Sequence, residues 1–219
     1  MIKKTFGKVL LPTAYLPSLE YMLYLTQAQI TCLEQFETYP RQTWRNRCTI
    51  MTANGLLDLV VPVFRPEGNQ SKTKDVLPSN HERWYLKHWR AITAAYGKAP
   101  YFLYYGDLIK AWLVEEPAGT LLQFNLNLVS AILNELDAPA AIRLTEKYEE
   151  KVQMRDLRDE MTPKMHLRNI QPPTKWPAYY QVFAEKHGFK GNLSVIDLLF
   201  HLGPETIAYL EEAAELNFS

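Results

Sequence analysis

Apolar and polar positions near the start of the chain predict short strands joined by a helix. Lys8–Ala14 and Gln29–Phe36 are apolar runs of the length typical of buried strands. Between them, Ser18 is placed to cap a helix over Leu19–Ala28. An Asn-Gly dipeptide at 54–55 separates two further β-rich runs and predicts a hairpin, because both residues tolerate positive φ.

The two arms of this predicted hairpin are Arg47–Met51 and Leu56–Phe64. Residues 56–63 are almost continuously apolar, which is typical of a strand that is covered on both faces. Pro62 lacks a backbone N–H, so we expect it to lie at a sheet edge or at the end of that strand.

The middle of the chain predicts helices. Apolar side chains over Glu82–Tyr96 recur every four residues and form one face, made of Trp84, His88, Ile92 and Tyr96. Tyr101–Val114 and Thr120–Leu136 predict two more helices, of which the second is largely buried. Asn125 lies inside it, and we expect this amide to need a hydrogen-bond partner.

The last third of the chain predicts two short strands and two helices. The strand candidates are Ala141–Leu144 and Tyr179–Phe183. Ser194 and Asp197 have the spacing of a capping box, which predicts a helix that Gly203 ends. A second helix is expected over Glu205–Glu215.

Two segments predict long loops, 65–80 and 161–178, and the charged segment 145–160 predicts a solvated surface. Strands and helices alternate along the chain rather than forming separate blocks. We therefore predict the α/β class, with a mixed β-sheet packed with helices in a single domain over residues 1–219.

Composition and charge exclude several classes of protein. The 219 residues contain 24 basic and 24 acidic side chains, and this neutral balance argues against non-specific binding of nucleic acid. No apolar run approaches the roughly 20 residues that span a bilayer. Cys32 and Cys48 are interpreted as free thiols, which favours a reducing, cytoplasmic location.

The distribution of charge is uneven although its sum is zero. The segments 39–57 and 161–178 contain basic residues and no acidic ones. The first long loop adds Lys72. If these segments meet in space, Arg45, Arg47, Lys72 and Lys164 form an anion-binding site, for which arginine is suited because it donates two parallel hydrogen bonds. The alternative is that these side chains pair separately with surface carboxylates.

Other candidate residues each have two interpretations. His88 is either a general base or a hydrogen-bonded core residue. Asn46 either contacts a substrate or shapes a turn, and Asp156 and Arg158 either contact a substrate or form a solvated pair. The five histidines share no metal-ligand spacing and the common phosphate-loop motifs are missing, so we expect no built-in metal and no cofactor.

Several colinear segments together resemble the WbqC-like protein family. They are Pro12–Pro17, Tyr39–Arg47, Asn54–Gly55, Val61–Val63, Lys87–Arg90, Ala95–Phe102 and Leu193–Phe200 with Gly203–Pro204. The resemblance implies a bacterial protein connected with O-antigen and lipopolysaccharide biosynthesis, with a suggested glycyl- or acyl-transferase role. A GAxxYLSG-like segment of longer members is missing, and residues 161–178 occupy its place.

Residues and resemblance lead to two functional hypotheses. The first is a cytoplasmic transferase that acts on a small anionic or sugar-nucleotide ligand. In it His88 accepts a proton, and Tyr15, Asn46 and Tyr96 orient the acceptor. The second is a non-catalytic accessory module that binds a glycan or a protein. The first requires Tyr15, Arg45, Asn46, His88 and the 161–178 loop to line one concave pocket. The sequence leaves the oligomeric state open.

Overall fold

The computed structural model describes residues 5–79, 82–114, 119–162 and 175–218. Its strands are β1 (Phe6–Pro12), β2 (Ala28–Glu34), β3 (Arg47–Thr52), β4 (Gly55–Val60), β5 (Val63–Phe64), β6 (Leu77–Pro78), β7 (Ile142–Leu144) and β8 (Arg155–Asp156). Its helices are α1 (Leu19–Gln27), α2 (Trp84–Tyr96), α3 (Phe102–Val114), α4 (Leu121–Glu135), α5 (Ala184–His187), α6 (Val195–Leu202) and α7 (Thr206–Phe218).

The main sheet is parallel throughout, with the strand order β7-β2-β1-β8. In register, Leu10 of β1 lies opposite Cys32 of β2 on one side and Asp156 of β8 on the other. The chain passes from β1 through α1 to β2, whereas β8 joins the opposite side of β1. The direction of strand addition therefore reverses at β1, which is the arrangement that opens a crevice at the carboxyl edge of a parallel sheet.

The predicted α/β class is confirmed, and parallel and antiparallel pairing occur in separate sheets. The antiparallel pairs are the β3–β4 hairpin and the short β5–β6 ribbon. The N-cap predicted for α1 is also confirmed, since the Ser18 hydroxyl accepts a hydrogen bond from the Tyr21 N–H.

The β3–β4 hairpin forms at the predicted dipeptide, but the expected covering of both faces is wrong. Leu56 is 59 % exposed and Leu57 is also exposed, while Leu59 is buried. Only one face of β4 packs inward, because the hairpin lies outside the main sheet and nothing among the described residues covers its outer face. A continuous apolar run was therefore misleading about burial.

Two expectations for the C-terminal segment were wrong. Residues 179–183 form no strand; they lead into the short helix α5. Asp197 does not complete a capping box, because its carboxylate turns into the interior and accepts hydrogen bonds from Tyr179 and Gln181. The 145–160 segment is mostly exposed, as predicted, although it contains β8 and the fully buried Leu157 that follows it.

A single apolar core joins the sheet, the hairpin and most of the helices. Aromatic rings connect α2 and α3 to the C-terminal helices: Trp89 stacks on Phe102, whose ring lies 5.1 Å from that of Phe200. The longest described helix, α4, has 15 residues, and no described helix is both long and apolar enough to cross a membrane. The described part of the predicted 65–80 loop is also anchored, since Thr73 and Val76 are fully buried.

Gly203, between α6 and α7, is a position at which glycine is required. Its φ is +55°, and a Cβ there would lie 2.5 Å from Tyr101 Cδ1. Gly203→Ala should therefore lower the free energy of unfolding by about 2 kcal/mol or more, measured by urea denaturation. Gly7→Ala is the control, because its Cβ would meet nothing within 4 Å. Equal stabilities for the two variants would contradict this account.

Candidate functional site

The carboxyl edge of the parallel sheet holds a pocket with a volume of about 400 Å³. We call it the edge pocket. It is lined by residues that follow β2, β7 and β8, together with residues from two loops: Phe36, Glu37, Thr38, Pro40, Arg45, Lys72, Tyr148, Arg158, Asp159 and Thr162. Ligands of open α/β sheets bind at this edge, beside the strand where the order reverses.

Arg45 is the most deeply buried cation of the edge pocket, with 1 % of its side chain exposed. Its Nε and Nη2 donate hydrogen bonds of 2.7 and 2.8 Å to the two carboxylate oxygens of Glu37. This bidentate geometry fixes the plane of the guanidinium. The third nitrogen, Nη1, is buried and has no hydrogen-bond partner among the described residues.

The backbone around Arg45 is held from two directions. Asn125 of α4 donates a 2.8 Å hydrogen bond to the Arg45 carbonyl, and the Tyr15 N–H donates to the carbonyl of Trp44. The expectation that Asn125 needs a partner is therefore confirmed. The predicted buried helix α4 thus positions a loop residue of the pocket.

Arg158 forms the opposite side of the edge pocket. Its Nε and Nη2 donate to Asp156, the shorter bond being 2.6 Å, and its Nη1 lies 3.3 Å from a carboxylate oxygen of Glu34. The hydrogen bonds to Asp156 raise the pKa of the Arg158 guanidinium further above its ordinary value. Glu34 is itself fully buried at the end of β2, so the pair connects the ends of β2 and β8.

Lys72 is the less constrained cation of the pocket. Its ammonium donates a 3.2 Å hydrogen bond to the Thr38 hydroxyl, and no described carboxylate lies within ion-pairing distance of it. Asp159 is an exposed carboxylate on the same lining, and it too has no ion pair within the described ranges. The pocket thus combines two fixed guanidinium groups with one lysine that is available for an anion.

Tyr15 and His88 lie in a different place, inside an aromatic cluster of the core. The Tyr15 hydroxyl and His88 Nδ1 are 2.9 Å apart. The Trp84 ring packs against the rings of both Tyr15 and His88, and the Phe124 ring stacks on Tyr15. His88 is 6 % exposed. Neither residue belongs to the lining of the edge pocket.

Burial lowers the pKa of His88 to about 4, and a hydrogen bond with the Val60 carbonyl opposes this shift only in part. The imidazole is therefore neutral at neutral pH, and it does not line the edge pocket. Its neighbours match the alternative interpretation from the sequence, a hydrogen-bonded core histidine.

The remaining predicted residues are distributed over the interior and the hairpin. Asn46 donates a 2.7 Å hydrogen bond to the Val61 carbonyl, which fixes the turn before β3. Arg47 faces Asp58 across the hairpin, 3.8 Å away. Tyr96 is buried against Phe200 and His201. These three residues do not line the edge pocket.

The structure thus brings together Arg45, Lys72 and Arg158, with Asp156 behind Arg158, and separates them from the other candidates. Lys164 lies outside the described residues. The expectation of one pocket shared by Tyr15, Asn46 and His88 is not met. In the described ranges, no group of three or more His, Cys, Asp or Glu side chains is arranged to hold a metal ion.

The lining residues that sequence reasoning missed include Glu37, Thr38, Tyr148 and Asp159. All four follow a strand of the parallel sheet within a few positions, at the carboxyl edge. Placing β8 correctly would have found Asp159, and this strand is too short and too charged to give an apolar pattern.

The low pKa of His88 makes the stability of the fold depend on pH. An unfolded histidine titrates near 6.5 and the folded one near 4, so only the unfolded state takes up this proton in between. The stability that the neutral His88 contributes to the folded state is fully present above pH 6.5. It falls by about 3 kcal/mol as the pH drops to 4. Chemical denaturation at pH 7 and pH 4 measures this change in the free energy of unfolding. The decrease between the two pH values should be smaller by about this amount in His88→Gln than in the unmodified protein.

The control is His187→Gln, which removes a histidine from the short helix α5. A pH dependence in His88→Gln that equals that of the unmodified protein would contradict the buried, neutral assignment.

Comparisons with known proteins identify the family but no activity. The chain is 26 % identical over 194 residues to the uncharacterized protein Rv1507c of Mycobacterium tuberculosis (strain ATCC 25618 / H37Rv), covering 78 % of this chain and 83 % of that protein. No solved structure matches. Residues 13–169, more than half of the chain, match the WbqC-like protein family. The chain therefore belongs to the WbqC-like protein family.

Proposed function

We propose that the protein binds a small anionic ligand of the sugar-phosphate or sugar-nucleotide class in the edge pocket and transfers a group to or from its sugar. The observation that carries this proposal is the convergence of Arg45, Lys72 and Arg158 at the carboxyl edge of a parallel sheet. In open α/β sheets, ligands bind in the crevice outside the carboxyl ends of the strands, where the strand order reverses, and arginine and lysine side chains there can bind the phosphate groups of a ligand.

The three cations have different roles in the proposal. Lys72 contacts the anion directly, because its ammonium is not neutralised by a described carboxylate. Arg45 donates from Nη1, the nitrogen that Glu37 does not occupy. Arg158 is neutralised by Asp156 and Glu34, so it shapes the wall of the pocket more than it attracts charge.

Group transfer also needs a base for the acceptor hydroxyl or amine. Asp159 is the exposed carboxylate of the pocket, whereas both oxygens of Glu37 already accept hydrogen bonds from Arg45. We therefore assign the base role to Asp159. His88 has no part in this mechanism, because its ring is buried away from the pocket.

Membership of the WbqC-like family supports the biological setting. The resemblance noted in the sequence implies the biosynthesis of bacterial surface polysaccharides such as O-antigen, whose activated sugars are made in the cytoplasm. We propose that the protein acts there on such a sugar.

A non-catalytic binding module is the second candidate, and the position of His88 favours it. The histidine expected to act as a general base lies outside the edge pocket. In that case the same cations recognise an anionic glycan without turnover. Tests of binding and of turnover must therefore be separate.

Binding is tested by isothermal titration calorimetry with a panel of sugar phosphates and sugar nucleotides. Lys72→Ala should weaken the binding of the anionic ligand about 10- to 100-fold, the effect of losing one charge-assisted hydrogen bond. Lys110→Ala is the matched control, because Lys110 is exposed on α3 and does not line the pocket. Unchanged affinity in Lys72→Ala would reject the edge pocket as the anion site.

Turnover is tested by mass spectrometry of mixtures that contain the ligand found in this way and a set of sugar acceptors. Transfer that is lost in Asp159→Asn, with ligand affinity retained, supports the enzyme. Tight binding without any product would favour the binding module instead.

A further inference from the structure

Tyr148 is an exposed aromatic ring on the wall of the edge pocket. It follows β7 by four residues, and 52 % of its side chain is exposed. Nothing in the sequence marked it, because it lies among charged residues in a segment that predicts a solvated surface. Its place on the lining raises the question of what its ring contacts.

The inner side of Tyr148 rests on a fixed cation. The centre of the Arg158 guanidinium lies 5.1 Å from the centroid of the Tyr148 ring, within the range of a cation–π interaction. Arg158 is only 8 % exposed and is held by Asp156 on one side and Glu34 on the other. The ring therefore has a rigid support on one side and solvent on much of the other.

The anion-binding residues belong to other segments of the same pocket. Arg45, with its unpartnered and buried Nη1, precedes β3, and Lys72 comes from the loop that pairs with Thr38. A ligand that fills the pocket is thus offered cationic donors from these segments and an aromatic surface from the segment after β7.

We propose that Tyr148 stacks on the base of a nucleotide whose phosphates bind at Lys72 and Arg45. This inference rests on the proposed function and narrows its ligand class to a nucleotide. A base has a flat π-face, and stacking on an aromatic side chain stabilises binding whichever base is present. A simple sugar phosphate has no such face, so the exposed ring favours the nucleotide. Arg158 is a positioning residue that holds Tyr148 in place.

The test compares ligands with and without a base in isothermal titration calorimetry. The probes are inorganic pyrophosphate, uridine diphosphate and adenosine diphosphate. The unmodified protein should bind both nucleotides more tightly than pyrophosphate. Tyr148→Ala should lower the affinity for the nucleotides about tenfold or more and leave that for pyrophosphate unchanged. Tyr148→Phe keeps the ring and should bind like the unmodified protein.

Two further variants separate this inference from the proposed function. Lys72→Ala should lower the affinity for all three ligands, because each carries the phosphate groups that Lys72 is proposed to bind. Tyr104→Ala removes an exposed tyrosine from α3, outside the pocket, and should change none of the affinities. Thermal melting of each variant checks that the fold is retained.

The outcomes are distinct. Equal affinities for pyrophosphate and the nucleotides would overturn the stacking inference, and so would nucleotide binding that is unchanged in Tyr148→Ala. If binding still depends on Lys72 in either case, the proposed anion site is retained. Absence of binding by all three probes to the unmodified protein would overturn the inference and count against a nucleotide-binding transferase. Loss confined to nucleotides in Tyr148→Ala would support both.

Discussion

The buried contact between Glu34 and Arg158 is the constraint on which the carboxyl edge of the sheet depends. Glu34 ends β2 and Arg158 follows β8, and these two strands lie on either side of β1. The Glu34 side chain is 1 % exposed and the Arg158 side chain is 8 % exposed. Removing one charge of such a pair leaves the other uncompensated, which typically costs about 3–5 kcal/mol. Glu34 also accepts a 2.7 Å hydrogen bond from the Phe36 N–H, so the same carboxylate shapes the turn that enters the pocket.

The pocket is organised by ion pairs before any ligand arrives. Glu37 orients Arg45, and Asp156 orients Arg158, each through a bidentate contact. Charges that are already oriented need no reorganisation when an anion binds, which improves affinity. The neutral total of the chain is therefore compatible with a local anion site, because most of the acids that balance these arginines serve to hold them.

Local patterns in the sequence predicted the elements well where apolar residues recur with a clear period. The face of Trp84, His88 and Ile92 on α2 and the Ser18 cap of α1 follow from nearest neighbours along the chain. The errors lie where distant contacts decide. Asp197 has capping-box spacing, but Tyr179 and Gln181 draw its carboxylate inward. β8 pairs over only two residues, so it has no pattern of its own.

The sequence by itself determined the α/β class, most helix bounds and the hairpin turn. It also indicated Arg45 and Lys72 through the uneven distribution of basic residues, and Arg158 through its place beside Asp156 in a charged segment. The tertiary structure decided which of these meet, because strands distant along the chain become neighbours only in the sheet. It placed His88 in the core with Tyr15 and brought Tyr148 to the pocket. The period of apolar residues and the caps at helix ends indicate an element locally, whereas the convergence of side chains depends on the order in which strands pair.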